Sequence, residues 1–183
     1  MKKRKGQIEI VLPVYFLMIV IILIACTLQV DQFNATSTYV EDALAASNLA
    51  SGVINIKEYG LTHQVVIAEA DQAFQIYQRA LKANMQLDDQ WESNNKLAIS
   101  GKVEVLDYII YNVRDQDVEI IAFGQNPYRT VVTGGLGTIA APNGKIIKYT
   151  SVYSKITFPV DAIFGIRATA VKDELIDIVG GNP

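Results

Sequence analysis

Residues 10–28 read IVLPVYFLMIVIILIACTL, nineteen positions without a formal charge. At about 1.5 Å per helical residue such a run approaches the roughly 30 Å of a bilayer's hydrocarbon layer. Taking the span from Ile8 to Val30 completes the crossing with room for tilt. Lipid offers the backbone no hydrogen-bond partners, so the segment is expected to be helical. Pro13 falls near its start, where a missing N–H does least harm. Lys2, Lys3, Arg4 and Lys5 precede the run and no comparable basic cluster follows it. This asymmetry predicts a cytoplasmic N-terminus and places residues 31–183 outside the membrane.

Composition narrows what the outer part can do. Half of the 183 residues are apolar and 19% are charged, which excludes a disordered chain. Residues 31–183 hold 12 basic against 18 acidic residues, so they carry no basic field of the kind that attracts nucleic acid. The single cysteine excludes an intrachain disulfide. With one histidine in the chain, a His-rich metal cluster or a Ser-His-Asp site is hard to build.

The helical pattern continues past the membrane. From Asp31 to about residue 57 the chain is rich in alanine and lacks proline. Phe33, Val40, Leu44 and residues 50–54 recur near one face. Small residues at Ala43, Ala46, Ser47, Ala50 and Ser51 allow close backbone approach. A stalk helix packed on its own domain explains them more simply than a contact between subunits. Gly60 is a natural breaker. A second helix is expected over residues 62–85, where Val66, Ala70, Ala73, Tyr77, Leu81 and Met85 keep helical spacing. His63, at its start, reads as a surface or capping residue. Residues 87–100 form a polar connection.

From Gly101 to Val179 the chain turns to Val, Ile and Tyr at alternating positions. Strands are expected at 102–113, 118–123, 128–133, 138–141, 145–150, 152–158 and 163–171, with residues 174–179 open between strand and helical turn. Arg114–Asp117 reads as a tight turn and Pro142-Asn143-Gly144 as a hairpin turn. Gly134–Gly137 lacks the Lys-Ser/Thr of a phosphate loop. Helices first and strands after predict an α+β architecture: a long transmembrane-plus-stalk helix, a second helix, then a mainly antiparallel sheet. The domain division is a leader at 1–7, a transmembrane helix at 8–30 and an extracytoplasmic domain at 31–183.

The residues before the apolar run carry the functional reading. Arg4-Lys5-Gly6-Gln7-Ile8-Glu9 leads directly into it. This resembles the signal of type IV pilins and pseudopilins, in which a basic leader ends in a small residue and a Glu opens an apolar helix. With Gly6, Glu9 and Pro13, the nearest resemblance is to the TadE-like minor pilins of tight-adherence systems. The resemblance covers roughly the first 55 residues and implies pilin topology, with the first helix packed on an antiparallel sheet. It also implies cleavage after Gly6 by a prepilin-type peptidase, a new amine on Gln7, and pairing of that amine with Glu9 of this or a neighbouring pilin-like subunit. Glu9 would be the third residue after the cut, where the family carries its Glu fifth. The alternative for Glu9 is an interfacial carboxylate reaching headgroup water.

A second reading of the same segment rests on Leu23-Ile24-Ala25-Cys26, which resembles a lipobox with Cys26 as the lipidated residue. The chain would then be a surface lipoprotein, or a signal-anchored ligand-binding module. Against it, Thr27 onward contains no Gly or Pro until Gly52, so the flexible tether of a lipoprotein is missing. No catalytic constellation is visible: acids such as Asp115 and Asp117 are turn residues, and no His base stands near a nucleophile. The expectation is a structural membrane protein, not an enzyme, without cofactor or metal. Its partners would be the bilayer and other pilin-like subunits of a surface pilus or related secretion machine.

Overall fold

A computed structural model describes residues 5–94, 99–161 and 167–178. The leader residues 1–4, part of the polar connection, four residues of the strand expected at 163–171, and Val179 lie outside them.

Helix α1 runs without a break over Lys5–Ser51, 47 residues, with Pro13 inside it. At about 1.5 Å per residue it is roughly 70 Å long. Its outer half buries one stripe, Thr36, Val40, Ala43, Leu44, Ser47, Asn48 and Ser51, at the spacing of a helix face. The continuation expected to reach residue 57 stops at Ser51. Gly52 follows, and Asn55 starts a new helix by accepting the Glu58 N–H at 3.1 Å. This helix, α2, covers Ile56–Thr62 and contains Gly60, the expected breaker.

The helix expected over 62–85 is divided. His63 adopts the left-handed conformation (φ 58°) and caps α2, its N–H donating to the Tyr59 carbonyl. Residues 64–69 then run without regular secondary structure, and α3 occupies Ala70–Asn84. The stretch is held by side chains far away in sequence. Asn112 Oδ1 accepts the Ile67 N–H at 2.9 Å, and its Nδ2 donates to the Ile67 carbonyl at 3.0 Å. Tertiary pairing at Val65-Val66-Ile67 overrides the helical spacing that includes Val66, and β-branched residues lose little by leaving a helix.

Five strands follow: β1 Glu104–Arg114, β2 Asp117–Gly124, β3 Tyr128–Val132, β4 Ser151–Asp161 and β5 Arg167–Asp177. They form one antiparallel sheet in the order β3-β2-β1-β4-β5. The α+β arrangement is therefore as the sequence predicts. Two details differ. The pairs expected at 138–141 and 145–150 make a single bridge, Ala140 to Ile146, around the Asn143-Gly144 turn. Of the strand expected at 163–171 and the undecided segment at 174–179, the described residues Arg167–Asp177 form one strand, β5, paired to β4 along its whole length.

Alternation divides the sheet's side chains between two cores. Tyr108, Ile110, Ile121, Val152, Ile156 and Phe158 meet α1 and α3 through Val40, Leu44, Tyr77 and Leu81. Within this core Tyr77 and Tyr108 lie 4.7 Å apart between ring centroids, and Phe74 stacks on Phe123 at 4.9 Å. On the opposite face Ile109, Tyr111, Val118, Ile120 and Tyr153 are covered by Ala141 and Ile147 of the 133–150 connection, with Leu136 and Ile139 packed beside them. The residues expected to pair as a hairpin thus serve as a lid on the outer face.

Candidate functional site

The feature that distinguishes this molecule is the inner half of α1. From Val11 to Val30 the helix presents Leu12, Phe16, Ile19, Leu23, Ile24 and Leu28 to the surroundings, each about half exposed or more. None of its most apolar eighteen-residue window is covered by the rest of the chain. An apolar cylinder about 30 Å long cannot remain bare in water, at roughly 25 cal/mol per Å² of apolar surface. The helix is long and apolar enough to cross a membrane once, and is compatible with a single-pass anchor. Cys26 lies on this cylinder, exposed and in no disulfide. The next residue, Thr27, returns its hydroxyl to the Ile24 carbonyl at 2.8 Å, so the helix runs through the lipobox-like tetrapeptide. Gly6, Gln7 and Glu9 lie on the first turns of α1, and their side chains fall outside the described residues.

Where the bare helix ends, the domain begins. Gln29 Nε2 donates to the Asp161 carbonyl at 3.2 Å, at the far end of β4. Farther along, Glu41 pairs with Lys172 at 2.7 Å, Asn48 Nδ2 donates to the Glu174 carbonyl at 3.0 Å, and Gly52 lies against Ile178. The numbers rise together, so α1 and β5 run side by side in the same direction. Tyr108 fastens the end of α1, donating to Ser51 Oγ at 2.9 Å. The Lys172 ammonium beside Glu41 holds that carboxyl below its ordinary value. The outer half of α1 is thereby part of the domain, and the inner half leaves it as one rigid continuation.

At the end of the domain remote from the bare helix lies a charged cluster that local spacing did not reveal. Glu119 accepts from Arg129 at 2.6 Å and from Arg114 at 3.0 Å, and Arg114 also reaches Glu58 at 3.1 Å. The Glu119 side chain is 11% exposed. Burial pushes its carboxyl up, but the bonds from Arg129, Arg114 and Asn112 outweigh burial and hold it below the ordinary range. The cluster ties α2, β1, β2 and β3 together. A sequence signal for it exists: alternation puts Glu119 on one face with Ile121 and Phe123, where a lone carboxylate needs a partner.

Among the described residues no group of three or more His, Cys, Asp or Glu is placed to hold a metal. A cleft of about 300 Å³ between the α1–α2 turn and α3 is lined by Val53, Ile56, Ala73 and Ile76, with Glu69 as its one charged group. His63 is exposed at the α2 cap, and Asp115 and Asp117 flank the β1–β2 turn, where they bond Gln64 and the Gly134 N–H. No family model matches the chain, and no curated protein or solved structure matches it.

Proposed function

We propose that this chain is a single-pass, membrane-anchored, pilin-like structural protein, a minor pilin or pseudopilin used in assembling a surface pilus or related secretion machine. One observation carries the reading. A continuous helix is bare and apolar over its first half and buried on an antiparallel sheet over its second. Such a helix joins a membrane segment to a folded domain without a hinge, which suits a subunit that is drawn from the bilayer into an assembly. The residues at its start, Gly6, Gln7 and Glu9, supply the processing and assembly pattern. On this reading the N-terminus is cytoplasmic, the sheet domain is extracytoplasmic, and Cys26 is a small apolar residue in lipid.

The test is the native N-terminus. Mass spectrometry of the protein from membranes is expected to show a chain beginning at Gln7. An intact Met1 with its basic leader rejects processing. A chain beginning at a lipid-modified Cys26 rejects the pilin-like reading in favour of the surface lipoprotein. Glu9→Gln is expected to reduce recovery in sheared surface filaments while leaving membrane insertion unchanged, because it removes the charge that would pair with the Gln7 amine, and low dielectric magnifies that attraction. Undiminished recovery rejects the pairing role.

A further inference from the structure

β3 forms one edge of the sheet, and all five of its residues are exposed. The direction of its free backbone groups follows from the ladder. The β1–β2 turn has two residues, Asp115 and Gln116, so the closing pair Arg114–Asp117 exchanges both of its hydrogen bonds. Every second pair beyond it does the same. Val113, which by this count faces away from β2, indeed donates its N–H to Thr150 Oγ1 at 3.0 Å. β2 therefore directs Val118, Ile120 and Ala122 toward β3, where Val132, Thr130 and Tyr128 answer them. The N–H and C=O groups of Arg129 and Val131 point away from the sheet, with no backbone partner among the described residues.

The two edges are built differently. β5 carries Arg167, Lys172, Asp173, Glu174 and Asp177, and Lys145 reaches over to Glu174 at 3.0 Å. Charge of this density guards an edge against pairing. β3 carries one charge, Arg129, whose Nε and Nη2 are turned onto Glu119. The rest of β3 is Tyr128, Thr130, Val131 and Val132, residues of high strand propensity. Tyr128 and Val132 continue the apolar layer of Ala122 and Val118 on the outer face, and are 48% and 36% exposed.

Direction decides the occupant. α1 and β5 run in the same direction, and the sheet is antiparallel throughout, so β3 also runs away from the anchor. Two copies anchored in one membrane would present both edges, β3 and β5, in that same direction. They could add only a parallel strand to a sheet that is otherwise antiparallel, and the β5 edge is the guarded one. This step rests on the membrane-anchored reading proposed above. We infer that the β3 edge is a strand-docking site for an extended segment of a different extracytoplasmic polypeptide, running antiparallel to β3. That segment would carry β-branched or aromatic residues opposite Tyr128 and Val132, and a carboxylate opposite Arg129.

The test uses the full chain in detergent micelles and the dye-labelled peptide Lys-Val-Thr-Thr-Glu-Val-Lys, read by fluorescence anisotropy. Saturable binding is expected, and N-methylation of the peptide amides opposite Arg129 and Val131 should weaken it at least tenfold. Val131→Pro removes an outward N–H while sparing the bonds to β2, and should weaken binding equally. If that variant fails to melt cooperatively, the N-methylated peptide alone decides. No saturable binding up to millimolar peptide, or equal binding of the N-methylated form, overturns the site. A dimer in sedimentation runs that Val131→Pro abolishes overturns the assignment to a different chain. Alkaline carbonate extraction judges the anchor separately: release of the protein defeats that reading, while the peptide titration still judges the edge.

Discussion

Asn112 shows how one side chain can replace a strand. It is buried on β1, and its amide bonds both the N–H and the C=O of Ile67, as a neighbouring backbone would. Removing it leaves two buried backbone groups without partners, each costing about 1–3 kcal/mol. Asn112→Leu, close in volume, is therefore expected to lower unfolding stability by about 2–4 kcal/mol, read as the midpoint of urea denaturation. A change within half a kcal/mol would show that Ile67 is held by other means. Glu119 gives a pH signature. Its carboxyl is held below the ordinary 4.5 in the folded protein. A depressed folded value means that the contribution is fully present above the unfolded value and is lost as pH falls through the folded one. Glu119→Gln should lower Tm at neutral pH, and the gap to the parent protein should narrow as the pH is taken below 4.5. A gap that stays constant across that range would show that the charge on Glu119 contributes nothing.

At the scale of elements, the strand ends carry the strain. Gly124 closes β2 at φ +109°, and a Cβ there would meet the Leu106 carbonyl oxygen at 2.4 Å. The contact is with backbone, beside the irregularity between Val105 and Asp107, so it cannot be relieved by turning a side chain. Gly124→Ala is expected to cost about 1–3 kcal/mol, measured by thermal melting; a neutral result would mean that the β1–β2 pair can shift locally. The elements themselves were unequally legible in the sequence. The uncharged run at 10–28 specifies the first half of α1 by its length without charge, and the alanine-rich stretch after it specifies the second half by the spacing of its apolar face. Val, Ile and Tyr at alternate positions specify β1, β2 and β4 for the same reason. The division between α2 and α3 left no local record: it depends on His63 in a left-handed conformation and on Asn112, 45 residues beyond Ile67. The hairpin read from Pro142-Asn143-Gly144 is present but short: Ala141 donates to the Lys145 carbonyl and Ile147 to the Ile139 carbonyl, while Ala141 and Ile147 also cover the sheet, a tertiary role that the turn signal does not record. Of the candidate site, the long apolar helix was legible and the cluster of Glu58, Arg114, Glu119 and Arg129 was not, since its members come from four separate elements.

On the scale of the whole molecule, the two halves of α1 have different surroundings. Its outer half buries seven side chains in the domain, from Thr36 to Ser51. Among the described residues, Val11 to Val30 has one side-chain hydrogen bond to the domain, from Gln29 to the Asp161 carbonyl. A hydrogen bond at an exposed site contributes on the order of 1 kcal/mol at most. The domain should therefore not need the anchor in order to fold. A chain beginning at Asp31 is expected to be monomeric in the absence of detergent and to melt cooperatively within a few degrees of the full-length protein in micelles. The full-length chain is expected to stay with membranes through alkaline carbonate extraction, since burying a bare helix of this length in lipid far outweighs any charge effect. Size-exclusion chromatography and circular dichroism decide the first expectation. Aggregation of the shortened chain, or loss of its cooperative transition, would mean that residues 5–30 hold the fold together and that α1 is a core helix of the domain before it is an anchor. A soluble, folded domain together with carbonate-resistant full-length protein would place the division between the two halves at Val30 and Asp31, where the first acidic residue after the apolar run stands.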